Sequence, residues 1–85
     1  DYTIGDGFGE VIEAEILPNS AFVRKKLGEM NLSKGIRVGA ILRNKKIIIP
    51  KSETIFEEKD DVVFFSETES VKELEKLLSI RQQYS

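Results

Sequence analysis

From Glu10 to Leu17 the chain alternates: Ile12, Ala14 and Ile16 interleave with Glu13 and Glu15, the two-residue period of a strand with one wet face. Pro18-Asn19-Ser20 stops the pattern. Val23, Leu27 and Met30 then recur at i, i+4 and i+7, with Arg24, Lys25 and Lys26 between them and Ser20 suited to cap the first turn. This spacing predicts a short amphipathic helix over Ala21 to Met30. Gly28 would cost that helix about 1 kcal/mol relative to alanine; it is read as tolerated there, not as the mark of a close backbone approach.

The second half opens with a run of β-branched and aliphatic residues, Ile36 to Arg43. Asn44-Lys45 follows, then Lys46 to Pro50 with Ile47, Ile48 and Ile49. That is a β-hairpin. Its near-continuous apolar character implies burial on both faces for much of its length. One helix-bearing layer can cover one face, and a second copy of the chain part of the other. After a loop at Lys51-Ser52-Glu53 come a brief strand at Thr54 to Phe56, a polar turn at Glu57 to Asp60 and a strand from Asp61 to Ser66. Thr68 or Ser66 caps a last helix, in which Val71, Leu74, Leu77 and Leu78 form the apolar stripe while Lys72, Glu73, Glu75 and Lys76 face water.

The predicted order is β-α-β-β-(β)-β-α, an α+β domain with a small, mainly antiparallel sheet and two helices. Residues 1–9 hold three of the six glycines and read as a linker or edge arm, residues 10–81 as the folded domain, and residues 82–85 as a frayed end. Asp1 in place of a methionine suggests a piece of a longer protein.

Composition narrows the chemistry. Eighty-five residues, 40% of them apolar, make one domain that buries roughly 60% of its unfolded surface, enough for one thin core and too little for a deep enclosed cavity. Histidine and cysteine are both absent, which removes the usual general base, the usual transition-metal ligands and any disulfide. The longest apolar run, Val62 to Phe65, is far below the roughly 18 residues of a membrane span. Gly5-Asp6-Gly7-Phe8-Gly9 lacks the spacing of a phosphate-binding loop and precedes a strand instead of joining a strand to a helix. No Ser-x-x-Lys pairs a hydroxyl with a base. An enzyme is not expected, and no catalytic or metal residues are assigned.

Charge is segregated more sharply than the net value of −2 shows. Arg43, Lys45, Lys46 and Lys51 follow one another with no acid between them, and positions 53–61 then carry Glu53, Glu57, Glu58, Asp60 and Asp61 against Lys59 alone. Each run reads first as a solvated turn or hairpin. The functional alternative for the basic run is an anion site where Arg43 and Lys51 meet a phosphate near one end of the sheet. For the acidic run it is a weak Ca²⁺ site, although EF-hand spacing is missing. Nucleic acid is not an expected partner, because net charge is negative and no basic stripe carries interleaved aromatics.

Taken together, Glu10-Val-Ile-Glu-Ala-Glu15, the Ser20 to Leu32 segment, Lys34-Gly-Ile-Arg-Val-Gly-Ala-Ile-Leu-Arg43, Ile48-Ile49-Pro50, Thr54-Ile55 and Lys59-Asp-Asp-Val-Val-Phe-Phe65 resemble the RCK C-terminal (TrkA-C) domain. This is the regulatory module of potassium-transport proteins. Gly5 to Glu10 looks like the connector into that domain. Arg24 departs from the pattern, which usually has glycine there. The resemblance implies a domain that forms a homodimer behind a Rossmann-type domain. Any NAD or ATP would belong to that domain, with no cofactor in this fragment. It implies a cytoplasmic module of a Trk-type potassium-uptake system, held at the inner face of the membrane through its membrane subunit. In some relatives the paired domains bind a small ligand, including a cyclic dinucleotide, in a region matched here by Leu32, Arg43 and Pro50. Two alternatives stand beside this: a sensor of an anionic nucleotide at Arg43 and Lys51, or the same domain attached to a cation/proton antiporter.

Overall fold

The computed structural model describes residues 2–79. Five strands form one antiparallel sheet: β1 Tyr2–Ile4, β2 Gly9–Glu15, β3 Ile36–Arg43, β4 Lys46–Ile48 and β5 Asp61–Glu67. Their spatial order is β1-β2-β5-β3-β4, so the last strand in sequence lies in the middle. Among the described residues there is a single α-helix, α1 Val71–Leu78, entered through a 3₁₀ turn at Thr68–Ser70. The sheet and the final helix match expectation, as does the hairpin, which turns at Asn44-Lys45 with φ of 51° and 65°. That is the left-handed pair a two-residue loop requires.

Residues 2–9 do more than lead into the sheet. Tyr2–Ile4 pairs with Gly9–Val11 as the sheet's outer strand, the edge-arm alternative. The expected frayed end at 82–85 lies outside the described residues.

Residues 21–30 do not form an α-helix. They run as turns and a 3₁₀ turn at Leu27–Glu29, because backbone groups that a helix would pair four residues apart bond to residues 52–56, leaving only i to i+3 turn bonds within the segment. Arg24 N–H donates to Phe56 O (2.8 Å), Phe56 N–H to Lys25 O (2.9 Å), Leu27 N–H to Thr54 O (2.9 Å) and Gly28 N–H to Ser52 O (2.9 Å). The brief strand expected at Thr54 to Phe56 is accordingly reduced to one bridge, Lys26 with Ile55. Arg24 sits at φ 64°, a left-handed conformation that ends any helix and suits glycine. Gly28 is a close-approach residue after all: a Cβ there would run into Ser52 Oγ and lie 3.2 Å from the Ser52 carbonyl oxygen. The stripe was still informative about burial, since Val23, Leu27 and Met30 pack against the core.

The expected caps of the last helix also differ. No side chain caps the 3₁₀ turn or α1; Thr68 Oγ1 donates to Gly7 O and Ser66 Oγ to Glu67 O. Thr68 thereby fastens the N-terminal arm.

The core lies on one face of the sheet. Ile36, Ile41, Val62 and Phe64 point into it from the strands and Ile16 from just past the end of β2, and Phe22, Phe56 and Leu74 close it from the covering layer. Phe22 stacks edge-on against Phe56 with ring centroids 5.1 Å apart and leans on Phe64 at 5.4 Å, geometries aromatic pairs favour. A β-bulge at Gly39 shifts the register between Val38 and Ala40. It lets Val38 and Ile41, three positions apart, both face the core.

Candidate functional site

Arg43 closes β3 on the core side of the sheet. An arginine there needs a buried anion, and Asp60, 1% exposed, supplies it. Arg43 Nε donates to Asp60 Oδ1 and Nη2 to Asp60 Oδ2, both at 2.8 Å, the two-pronged arrangement that suits a guanidinium. Nη2 also donates to Ile55 O at 2.9 Å, and Nη1 lies 3.1 Å from Glu57 Oε2. Asp60 is aimed by its own turn. Glu57 N–H donates to Asp60 Oδ2 (2.9 Å), Asp60 N–H donates back to Glu57 O (3.1 Å), and Lys59 takes φ 74° to make the corner. Hydrogen bonding to Asp60 raises the Arg43 pKa above its ordinary value; burial opposes this, and the charges of Asp60 and Glu57 add to it.

The guanidinium is therefore a clamp joining the end of β3, the Ile55 loop and the start of β5. Two acids from the run at 53–61 face this arginine, where the sequence suggested a solvated turn or a Ca²⁺ site. Lys51 lies on the exposed loop after β4, where its N–H donates to Thr54 Oγ1 (2.8 Å). No carboxylate lies within salt-bridge distance of its ammonium among the described residues.

Leu32 is half-buried and lines a cleft of about 280 Å³ with Leu27, Asn31, Ile36, Arg37 and Val38, floored by Gly28. Ser33 Oγ is buried without a hydrogen-bond partner among the described residues. Arg43, Pro50 and Lys51 do not line this cleft. Pro50 is half-buried.

The second face of the sheet has no covering layer among the described residues. Register places Val11, Phe65 and Arg37 in one row across it, Glu13, Val63 and Ala40 in the next, then Glu15, Asp61, Leu42 and Ile47. Phe65 is 44% exposed and its ring lies over Gly39, where a Cβ would run into the ring. Ile4, Leu42 and Ile47 are also exposed large apolar residues, and the exposed Phe8 stands at the Ile4 end. Arg37 and Glu67 stand toward one end of the face, and Glu13, Glu15 and Asp61 toward the other. Sequence reasoning reaches neither the pairing of Asp60 with Arg43 nor the exposed position of Phe65 on the open face. The signals were present, in an arginine within an apolar strand and in consecutive apolar residues at Val62 to Phe65.

The family model described as the TrkA-C domain matches residues 11–79. Among curated proteins the chain is 35% identical over 83 residues to the Trk system potassium uptake protein TrkA of Azorhizobium caulinodans, covering 98% of this chain and 18% of that protein. It is 39% identical over 79 residues to the protein of the same name from Haemophilus influenzae, covering 88% and 17%. The chain thus spans less than a fifth of the length of these relatives. Among solved structures, an RCK domain with cda superposes with a TM-score of 0.69 at 25% identity, covering 81% of this chain and 97% of that one. The RCK_C domain dimer of S. agalactiae BusR in complex with c-di-AMP superposes at 0.71 with 22% identity, covering 88% and 96%. BusR in complex with its busAB-promotor DNA gives 0.70 at 21% identity, covering 87% of this chain and 38% of that one.

Proposed function

Because the chain belongs to the TrkA-C domain family, we propose that it is a regulatory, self-pairing module of a Trk-type potassium-uptake system. The observation that carries the pairing is the uncovered apolar sheet face centred on Val63 and Phe65. A monomer that leaves Phe65, Leu42 and Ile47 in water on one continuous face forgoes burial worth about 25 cal/mol per Å². The charge layout also favours a second copy. A two-fold operation that reverses the strand direction brings Arg37 of each chain toward Glu13, Glu15 and Asp61 of the other, the self-complementarity an isologous interface needs.

In function, the arrangement of the paired domains changes with ligand state and biases the membrane subunit between open and closed forms, by as much as the ligand's affinity differs between the arrangements. The domain has no part in chemistry here; NAD or ATP is assigned to a Rossmann-type domain of the longer protein, and the module works on the cytoplasmic side of the membrane. Light scattering tests the pairing: the chain is expected at twice its 9.6 kDa mass at high micromolar concentration, and Phe65→Glu at the single mass. A wild-type monomer under those conditions overturns the dimer.

One observation favours ligand sensing within this module: the cleft of about 280 Å³ that Leu32 lines with Asn31 and Arg37. Calorimetry against nucleotides and cyclic dinucleotides tests it, c-di-AMP included as the ligand of the BusR RCK_C dimer. Heat that is lost in Leu32→Glu supports the site, and the absence of heat with every member removes it.

A further inference from the structure

The basic run on the hairpin has no role in this function. Its guanidinium is tied to Asp60 and Glu57, which leaves Lys45, Lys46 and Lys51. All three are exposed, with no carboxylate in salt-bridge distance among the described residues. Between them stand Ile47 and Ile49, 65% and 70% exposed. β4 is the sheet's terminal strand. In a two-residue hairpin the closing pair, Arg43 with Lys46, exchanges its backbone bonds internally, so alternation turns the N–H and C=O of Ile47 away from β3. No turn or loop bond takes up these groups, or those of Ile49, among the described residues.

We infer that this edge accepts an extended acidic segment of another protein as a sixth strand. The pleat sets the partner's pattern: apolar side chains beside Ile47 and Ile49 on one face, and carboxylates on the other within reach of Lys46, with Lys45 and Lys51 meeting further acids at the two ends. A second copy is the poorer occupant, because joining two β4 edges lines up Lys45, Lys46 and Lys51 of both chains along one seam. Lysines on a short edge repel that edge's own copy and attract a carboxylate-bearing strand.

The test uses a short capped peptide alternating valine and glutamate, added to the isotopically labelled 85-residue chain, with amide exchange read by NMR. The Ile47 and Ile49 amides are expected to gain protection. Affinity is expected to fall about tenfold or more in the Lys45→Glu, Lys46→Glu double variant, and to fall as salt rises from about 50 to about 500 mM. A peptide N-methylated at alternate residues, unable to bond to an edge, is expected to lose binding, and Phe65→Glu to keep it. The inference is overturned by unprotected Ile47 and Ile49 at millimolar peptide, by equal binding of the N-methylated peptide, or by loss of binding in Phe65→Glu, which moves the occupant to the open face. Protection of Ile47 that rises with protein concentration in the absence of peptide overturns it in favour of a second copy.

Discussion

Arg43 and Asp60 show how one pair determines what a basic run can do. Asp60 is wholly enclosed, and its carboxylate is satisfied by two prongs of Arg43 and by Glu57 N–H. Removing the arginine while keeping its bulk, in Arg43→Met, leaves that charge buried and unpaired, which costs about 3–5 kcal/mol. Against a total of about 5–15 kcal/mol for a typical domain, urea unfolding should show a large fall in midpoint. Glu57→Gln should cost under about 1 kcal/mol, since that carboxylate stands largely in water. A small loss in Arg43→Met would mean that the clamp is not structural. Arg24 is the second residue whose environment, and not its charge, explains it: at φ 64° it holds a left-handed conformation that glycine would adopt without strain.

Among the elements, the hairpin was legible because its information is local. Asn44-Lys45, the flanking isoleucines and Pro50 all lie within one short segment. The stretch 21–30 misled because its partners lie some thirty residues away in sequence. Three apolar residues at helical spacing pack against the core equally well from a chain of turns, once residues 52–56 supply the hydrogen-bond partners. Gly28→Ala separates the two conformations by sign. In a helix it would stabilise by about 1 kcal/mol. Against Ser52 it should destabilise, by on the order of 1–2 kcal/mol, with part of the loss recovered when Ser52 is also replaced by glycine. The clamp was hidden for a similar reason: Arg43 and Asp60 belong to runs that each look solvated until β3 and β5 bring them together.

For the whole molecule the decisive dimension is the shortest, 21 Å across a body 40 Å long. That is room for the sheet and one covering layer at the roughly 10 Å spacing of packed layers, so the second face stays open unless another copy closes it. The near-continuous apolar character of the hairpin anticipated this. The bulge at Gly39 accounts for part of it, and the apolar open-face residues Ala40, Leu42 and Ile47 for the rest. If pairing covers that face, thermal unfolding becomes second-order. The midpoint should rise with protein concentration in the wild type and stay flat in Phe65→Glu; a flat wild-type curve would exclude a dimer linked to folding.

The central position of β5 has a further consequence, for the order in which the domain is made. The arm pair β1-β2 and the hairpin β3-β4 each form from neighbouring residues, yet they touch through β5, which registers with β2 from Gly9↔Glu67 to Glu15↔Asp61 and with β3 from Ile36↔Ser66 to Leu42↔Asp61. Until the ribosome has released the chain past Glu67 there is no shared sheet, only two ribbons exposing Ile12, Val38 and Ile41. Folding must await this late, long-range pairing, which places the chain among slower, high-contact-order folders and lengthens the time its strand edges stand unprotected.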